Sequence, residues 1–82
     1  MTHEEEFILG CAVRYCLGRS TYAPHMVMDY MEKHFDELSN TFLEGVSRDI
    51  EKQARFGLGM KMDEERWLAL DVKIQERLHD GV

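Results

Sequence analysis

Residues 11–25 read CAVRYCLGRSTYAPH, and the order of residue types within them decides the fold. The stretch holds both cysteines, two of the ten lysines and arginines, two of the three tyrosines and the only proline. Gly18 directly follows an apolar run, where a helix commonly closes through a left-handed C-cap. Pro24 stands where a second helix can start, because its missing amide would lack a partner in the first turn in any case. The stretch therefore reads as a corner between two helices and not as a chemical site. Arg14 interrupts an otherwise apolar helix and Arg19 follows its end, each able to donate to unpaired carbonyls or to pair with an acid from another helix. Tyr15 and Tyr22 can bury their rings there while their hydroxyls find partners. The expectation is that Arg14, Tyr15, Arg19 and Tyr22 fasten the first two helices together, with Arg19 and Tyr22 as the lock.

Working outward, Thr2 and Glu5 have capping-box spacing, and Glu4, Glu5 and Glu6 place negative charge in the first turn. From residue 7 to residue 17 only Arg14 is charged, so this first helix is apolar nearly all round and is expected at the centre, wrapped by the others. After Pro24, the residues Val27, Tyr30, Met31, His34, Phe35 and Leu38 recur at three- and four-residue spacing and predict one apolar stripe. Asp29, Glu32, Lys33, Asp36 and Glu37 occupy the opposite face. Ser39 or Asn40 can cap a third helix with Leu43, Val46, Ile50 and Ala54 on its inner line. Its Glu44–Arg48 and Glu51–Arg55 pairs are four apart in the favourable order, which describes a solvated outer face. Asp63 can cap a last helix that presents Trp67, Leu70, Ile74 and Leu78 and stops before Gly81. Short connections between four such helices predict an all-α, compact four-helix bundle, one domain over residues 1–82, with Trp67 in a structural role.

The 82 residues carry a net charge of −6. Residues 1–47 hold eight acids against three bases, and residues 48–82 hold eight against seven. The acidic first half disfavours attraction to nucleic acid or anionic lipid and suits a basic protein surface. The acidic start and the short apolar run FILGCAV give neither a secretory signal nor a membrane span, so a cytoplasmic protein without a membrane partner is expected.

Cys11 and Cys16 are five apart, which sets them about 140° from one another on a helix and rules out a shared metal in the simplest geometry. Both are expected to be reduced and to pack as small hydrophobes. His3, His25, His34 and His79 are scattered; His25 and Asp29 share a face, but zinc needs four converging ligands. No phosphate-binding, nucleophile-elbow or paired-cysteine motif occurs, so neither enzymatic activity nor a cofactor is expected. Among six methionines, core packing is the default, yet Met26 and Met28 lie toward the margin of the second helix's stripe and could meet a partner. The LSNT link permits a helix-turn-helix, whose recognition helix would show the alternating set Glu44, Arg48, Glu51, Lys52 and Arg55.

The segment RYCLGRSTYAP, residues 14–24, resembles a pattern in small uncharacterised helical proteins of phages and prophages of Gram-positive bacteria, arginine-tyrosine-x-leucine-glycine-arginine-x-threonine-tyrosine. In that type a tryptophan in the last helix often follows, and Trp67 corresponds to it. The resemblance covers about an eighth of the chain and brings no catalytic residue. It implies a mobile-element setting in which small acidic proteins often bind and inhibit a host protein, including nucleic-acid-guided defence. The expected function is a non-enzymatic protein-binding module of this accessory, anti-CRISPR-like kind, with Met26, Met28, Glu32, Asp36 and Glu37 as its contact residues. The alternative is a small DNA-binding or transcription-modulating protein that uses the third helix. So small a core and so apolar a first helix would also gain from pairing as a homodimer.

Overall fold

The structure is a computed structural model that describes residues 1–17, 23–56 and 64–80. Helix α1 spans His3–Cys16, α2 Ala23–Lys33, α3 Asn40–Phe56 and α4 Glu64–Asp80, with a single 3₁₀ turn over Phe35–Glu37 between α2 and α3. This is the expected all-α four-helix bundle. The capping box forms: the Thr2 hydroxyl accepts from the Glu5 amide at 3.1 Å while the Glu5 carboxylate accepts from the Thr2 amide at 3.2 Å. Those bonds from Thr2, side chain before backbone, hold the Glu5 carboxyl below its ordinary value. The box therefore adds stability above the ordinary glutamate range and loses it as pH falls through the lowered value.

Helix α1 packs on α2 and α3, and α3 packs on α4. The core takes Leu9, Val13, Cys16 and Leu17 from the first helix and its end, and Met28 and Met31 from α2. Phe35 and Leu38, Leu43 with Val46 and Ile50, and Trp67 with Leu70 and Ile74 complete it. Leu78 is half-buried against this core, whereas Ala54, expected on the inner line of α3, is exposed.

Two expectations are corrected by the packing. Helix α1 is not wrapped all round: among the described residues its neighbours lie on one side, and it buries Glu6, Leu9, Gly10, Val13 and Cys16 and leaves Phe7 66% and Ile8 67% exposed. The buried stripe of α2 is also turned by roughly 60° from the expected one, at ~100° per residue. Met28 and Met31 are fully buried, while Tyr30 is 41% exposed. Burial of the two methionines fixes this rotation, and it carries Asp29 and Glu32 to the α4 side of α2, where Arg66 donates to Asp29 and to both oxygens of Glu32. The two carboxylates, Glu32 first, raise the guanidinium pKa still further above its ordinary value.

Polar side chains tie the elements at both ends. Glu6 of α1 is buried and accepts from the backbone amide of Ser39 at 2.6 Å and from its hydroxyl at 2.9 Å. Ser39 in turn caps α3, its Oγ accepting from the Phe42 amide at 3.1 Å. Arg77 of α4 donates to the carbonyls of Phe35 and Leu38 and lies 5.3 Å from the centre of the Phe35 ring. Between α3 and α4 the buried Ser47 hydroxyl donates to Asp71 and accepts from Gln75 at 2.6 Å. Each of these satisfies a polar group that the core would otherwise strand.

Gly45 sits inside α3 with nothing within 4 Å of where a Cβ would be. Glycine in a helix interior costs roughly 0.5–1 kcal/mol relative to alanine. Gly45→Ala should therefore raise thermal stability by that amount, read from a urea or thermal melt; a lower melting temperature would contradict open space at this position.

Candidate functional site

Two concave surfaces flank α1, and they differ in what their polar groups are doing. The cleft between α1 and α3, about 240 Å³, has Gly10 and Gly45 on its facing walls and Phe7 and Phe42 beside them. Its charged residues are already engaged: Arg14 lies 3.9 Å from Asp49, and Glu6 is held by Ser39. The groove between α1 and α2, about 300 Å³, is lined by Ile8, Leu9 and Ala12 on one wall and Met26, Val27 and Tyr30 on the other, with Glu5 at its rim. Met26 is 72% exposed there.

The groove has an acidic end. The Tyr30 ring stacks at 4.5 Å on His34, and His34 Nδ1 lies 2.6 Å from a carboxylate oxygen of Glu37. That bond, foremost among its causes, holds the Glu37 carboxyl below its ordinary value, and the charge of Glu5 acts on Glu37 from α1. Glu5 and Glu37, both lowered, thus stay ionised to lower pH than free glutamate does.

The five residues expected to meet a partner are not brought together as one patch. Met28 has no exposed surface and belongs to the core, which corrects its assignment as a contact. Glu32 is held by Arg66 on the α4 side of α2. Asp36 is exposed beside Asn40, Lys73 and Glu76, around the end of the bundle. Met26 lines the groove, and Glu37 stands at its acidic end.

Of the expected fasteners, Arg14 reaches Asp49 of α3 and donates to the Cys11 sulfur at 3.4 Å. Tyr15 is 61% exposed, which corrects the expectation of a buried ring. Arg19 and Tyr22 lie outside the described residues. Trp67 is 1% exposed at the heart of the core. Cys16 is buried, Cys11 is exposed against expectation, and neither is in a disulfide. Asp29, which shares a face with His25, is taken by Arg66. Among the described residues no three metal-ligating side chains converge, and no helix is long and apolar enough to cross a membrane. On α3, Glu44, Arg48, Glu51, Lys52 and Arg55 are all exposed, two acids among three bases.

Sequence reasoning missed Glu5, Ile8, Ala12 and Tyr30 as groove residues. The signal for Ile8 was present in the all-round apolarity of the first helix, which reads equally as deep burial or as a covered outer face. No protein-family model, curated protein or solved structure matches the chain.

Proposed function

We propose that the chain is a non-enzymatic protein-binding module that receives a basic amphipathic helix of a larger protein in the groove between α1 and α2. The observation that carries this reading is the exposed apolar lining of Ile8, Met26 and Tyr30 beside an acidic end. Apolar contact supplies the affinity, and the negative end sets the polarity of the helix it takes. Glu5 at the groove and Glu37 at its end supply that negative charge. The resemblance of residues 14–24 to phage and prophage proteins makes a host or phage protein the owner of that helix, and occupying its surface the mode of action. This reading goes with a cytoplasmic setting. On α3, Glu44 and Glu51 lie beside Arg48, Lys52 and Arg55 and offset part of the positive charge that phosphate would need.

An amphipathic leucine–lysine peptide carrying a fluorophore should bind the wild-type chain, and its leucine–glutamate counterpart should not. Met26→Glu places an unpaired charge in the groove and should weaken the lysine peptide by roughly tenfold or more, a loss of at least about 1.4 kcal/mol. Asp36→Lys, around the end of the bundle, should change it far less. Equal binding by Met26→Glu, or no binding of the lysine peptide, sinks the proposal.

A further inference from the structure

The side of α1 turned directly away from the core is itself apolar. At ~100° per residue, Glu4, Ile8, Cys11 and Tyr15 fall within about 60° of one another, with Phe7 and Arg14 at the margin. The buried residues Leu9, Val13 and Cys16 project from the other side. A surface helix ordinarily turns its polar residues outward. Here Phe7, Ile8 and Tyr15 are each about two-thirds exposed, and Cys11 is exposed between them.

We infer that this stripe pairs with the same stripe of a second copy, the two α1 helices running antiparallel about a two-fold axis. The occupant follows from charge. The stripe has an acid, Glu4, near one end, and at its margin near the other a base, Arg14, which lies 3.9 Å from Asp49 with its side chain still 54% exposed. Parallel pairing sets Glu4 against Glu4, whereas antiparallel pairing brings Glu4 to the Tyr15 and Arg14 end of the other copy. The same operation lays Ile8 opposite Cys11, since both pairs have one midpoint along the helix, and brings Arg14 toward the face of Phe7, where a guanidinium binds well.

The size is adequate for a reversible dimer. With ~150–250 Å² per aromatic side chain, Phe7, Tyr15 and Ile8 present roughly 400 Å² per copy. Their neighbours bring the total near the ~1,000 Å² that a specific interface needs. Because each chain carries −6, added salt should tighten the dimer by screening the repulsion, while it should loosen a basic helix in the groove. The stripe shares only Ile8 with the groove, so the two surfaces are separable.

Sedimentation equilibrium of the full chain at high micromolar concentration should give twice the 9.7 kDa monomer mass. Cys11→Glu, at the centre of the stripe and outside the groove, should return it to monomer with helicity intact and with lysine-peptide binding retained. Ile8→Cys in a Cys16→Ala background tests orientation: mild oxidation should link residue 8 of one copy to Cys11 of the other. Links of 8 to 8 and 11 to 11 would overturn the antiparallel arrangement. A monomeric wild-type chain, or a Cys11→Glu variant that still dimerises, would overturn the pairing itself and leave the groove reading standing.

Discussion

Trp67→Ala is expected to remove about 3–5 kcal/mol of folding stability, the range for deleting a large buried aromatic. Trp67 is among the largest fully buried side chains, and it shares the core with residues of all four helices. At ~0.05–0.15 kcal/mol per residue, a domain of this length has only about 4–12 kcal/mol in total, so the variant should be largely unfolded when warm. Trp67→Phe keeps a ring in the space and should lose distinctly less. Urea melts followed by circular dichroism measure both. A Trp67→Ala variant that melts within a few degrees of wild type would mean that the core does not close around this ring.

Glu6→Ala should cost about 2–3 kcal/mol although it removes a charged residue from an acidic chain. One Glu6 oxygen accepts from the Ser39 amide and the other from the Ser39 hydroxyl, and that hydroxyl caps α3. Hydrogen bonds to a charged group contribute ~1.5–3 kcal/mol, and a carboxylate near a helix start adds ~0.3–1 kcal/mol through the dipole. Partial access of water to the site offsets some of that. At ~4–8 °C per kcal/mol the melting temperature should fall by roughly 10–20 °C. Glu6→Gln, which retains an acceptor without the charge, should lie between. Amide exchange should quicken first in residues 39–43; unchanged exchange there would show that Glu6 does not support the start of α3.

Local chemistry made the helix ends legible, because caps are written in adjacent residues. Thr2 with Glu5 and Ser39 before Asn40 could both be read directly. What could not be read was the rotation of each helix about its own axis, which is settled by distant partners. Glu6 looked like a first-turn acid of its own helix, yet it stands three and seven residues before Leu9 and Val13, on their buried line. That spacing was a usable signal. Arg66, by contrast, meets Asp29 and Glu32 across more than thirty residues, and nothing local foretold that pairing or the rotation that puts Met28 in the core and Tyr30 at the groove. The candidate site was missed for the same reason. An apolar helix announces contact on every side, and only the placement of α2 and α3 shows which side remains uncovered.

The groove between α1 and α2 is what the proposed function rests on. With Met28 and Met31 in the core, Met26 and Tyr30 face outward beside Ile8, and His34 with Glu37 closes one end of the trough with negative charge. The helix proposed to lie there would gain apolar contact along the trough and a charged contact at its end.

Chemical-shift mapping with the isotope-labelled chain and the leucine–lysine peptide tests that claim most directly. The account predicts saturable shifts at the amides of Glu5, Ile8, Ala12, Met26 and Tyr30, diminished in Met26→Glu, with Arg48 and Arg55 undisturbed. Shifts confined to α3, or spread evenly over the acidic surface without saturation, would contradict it.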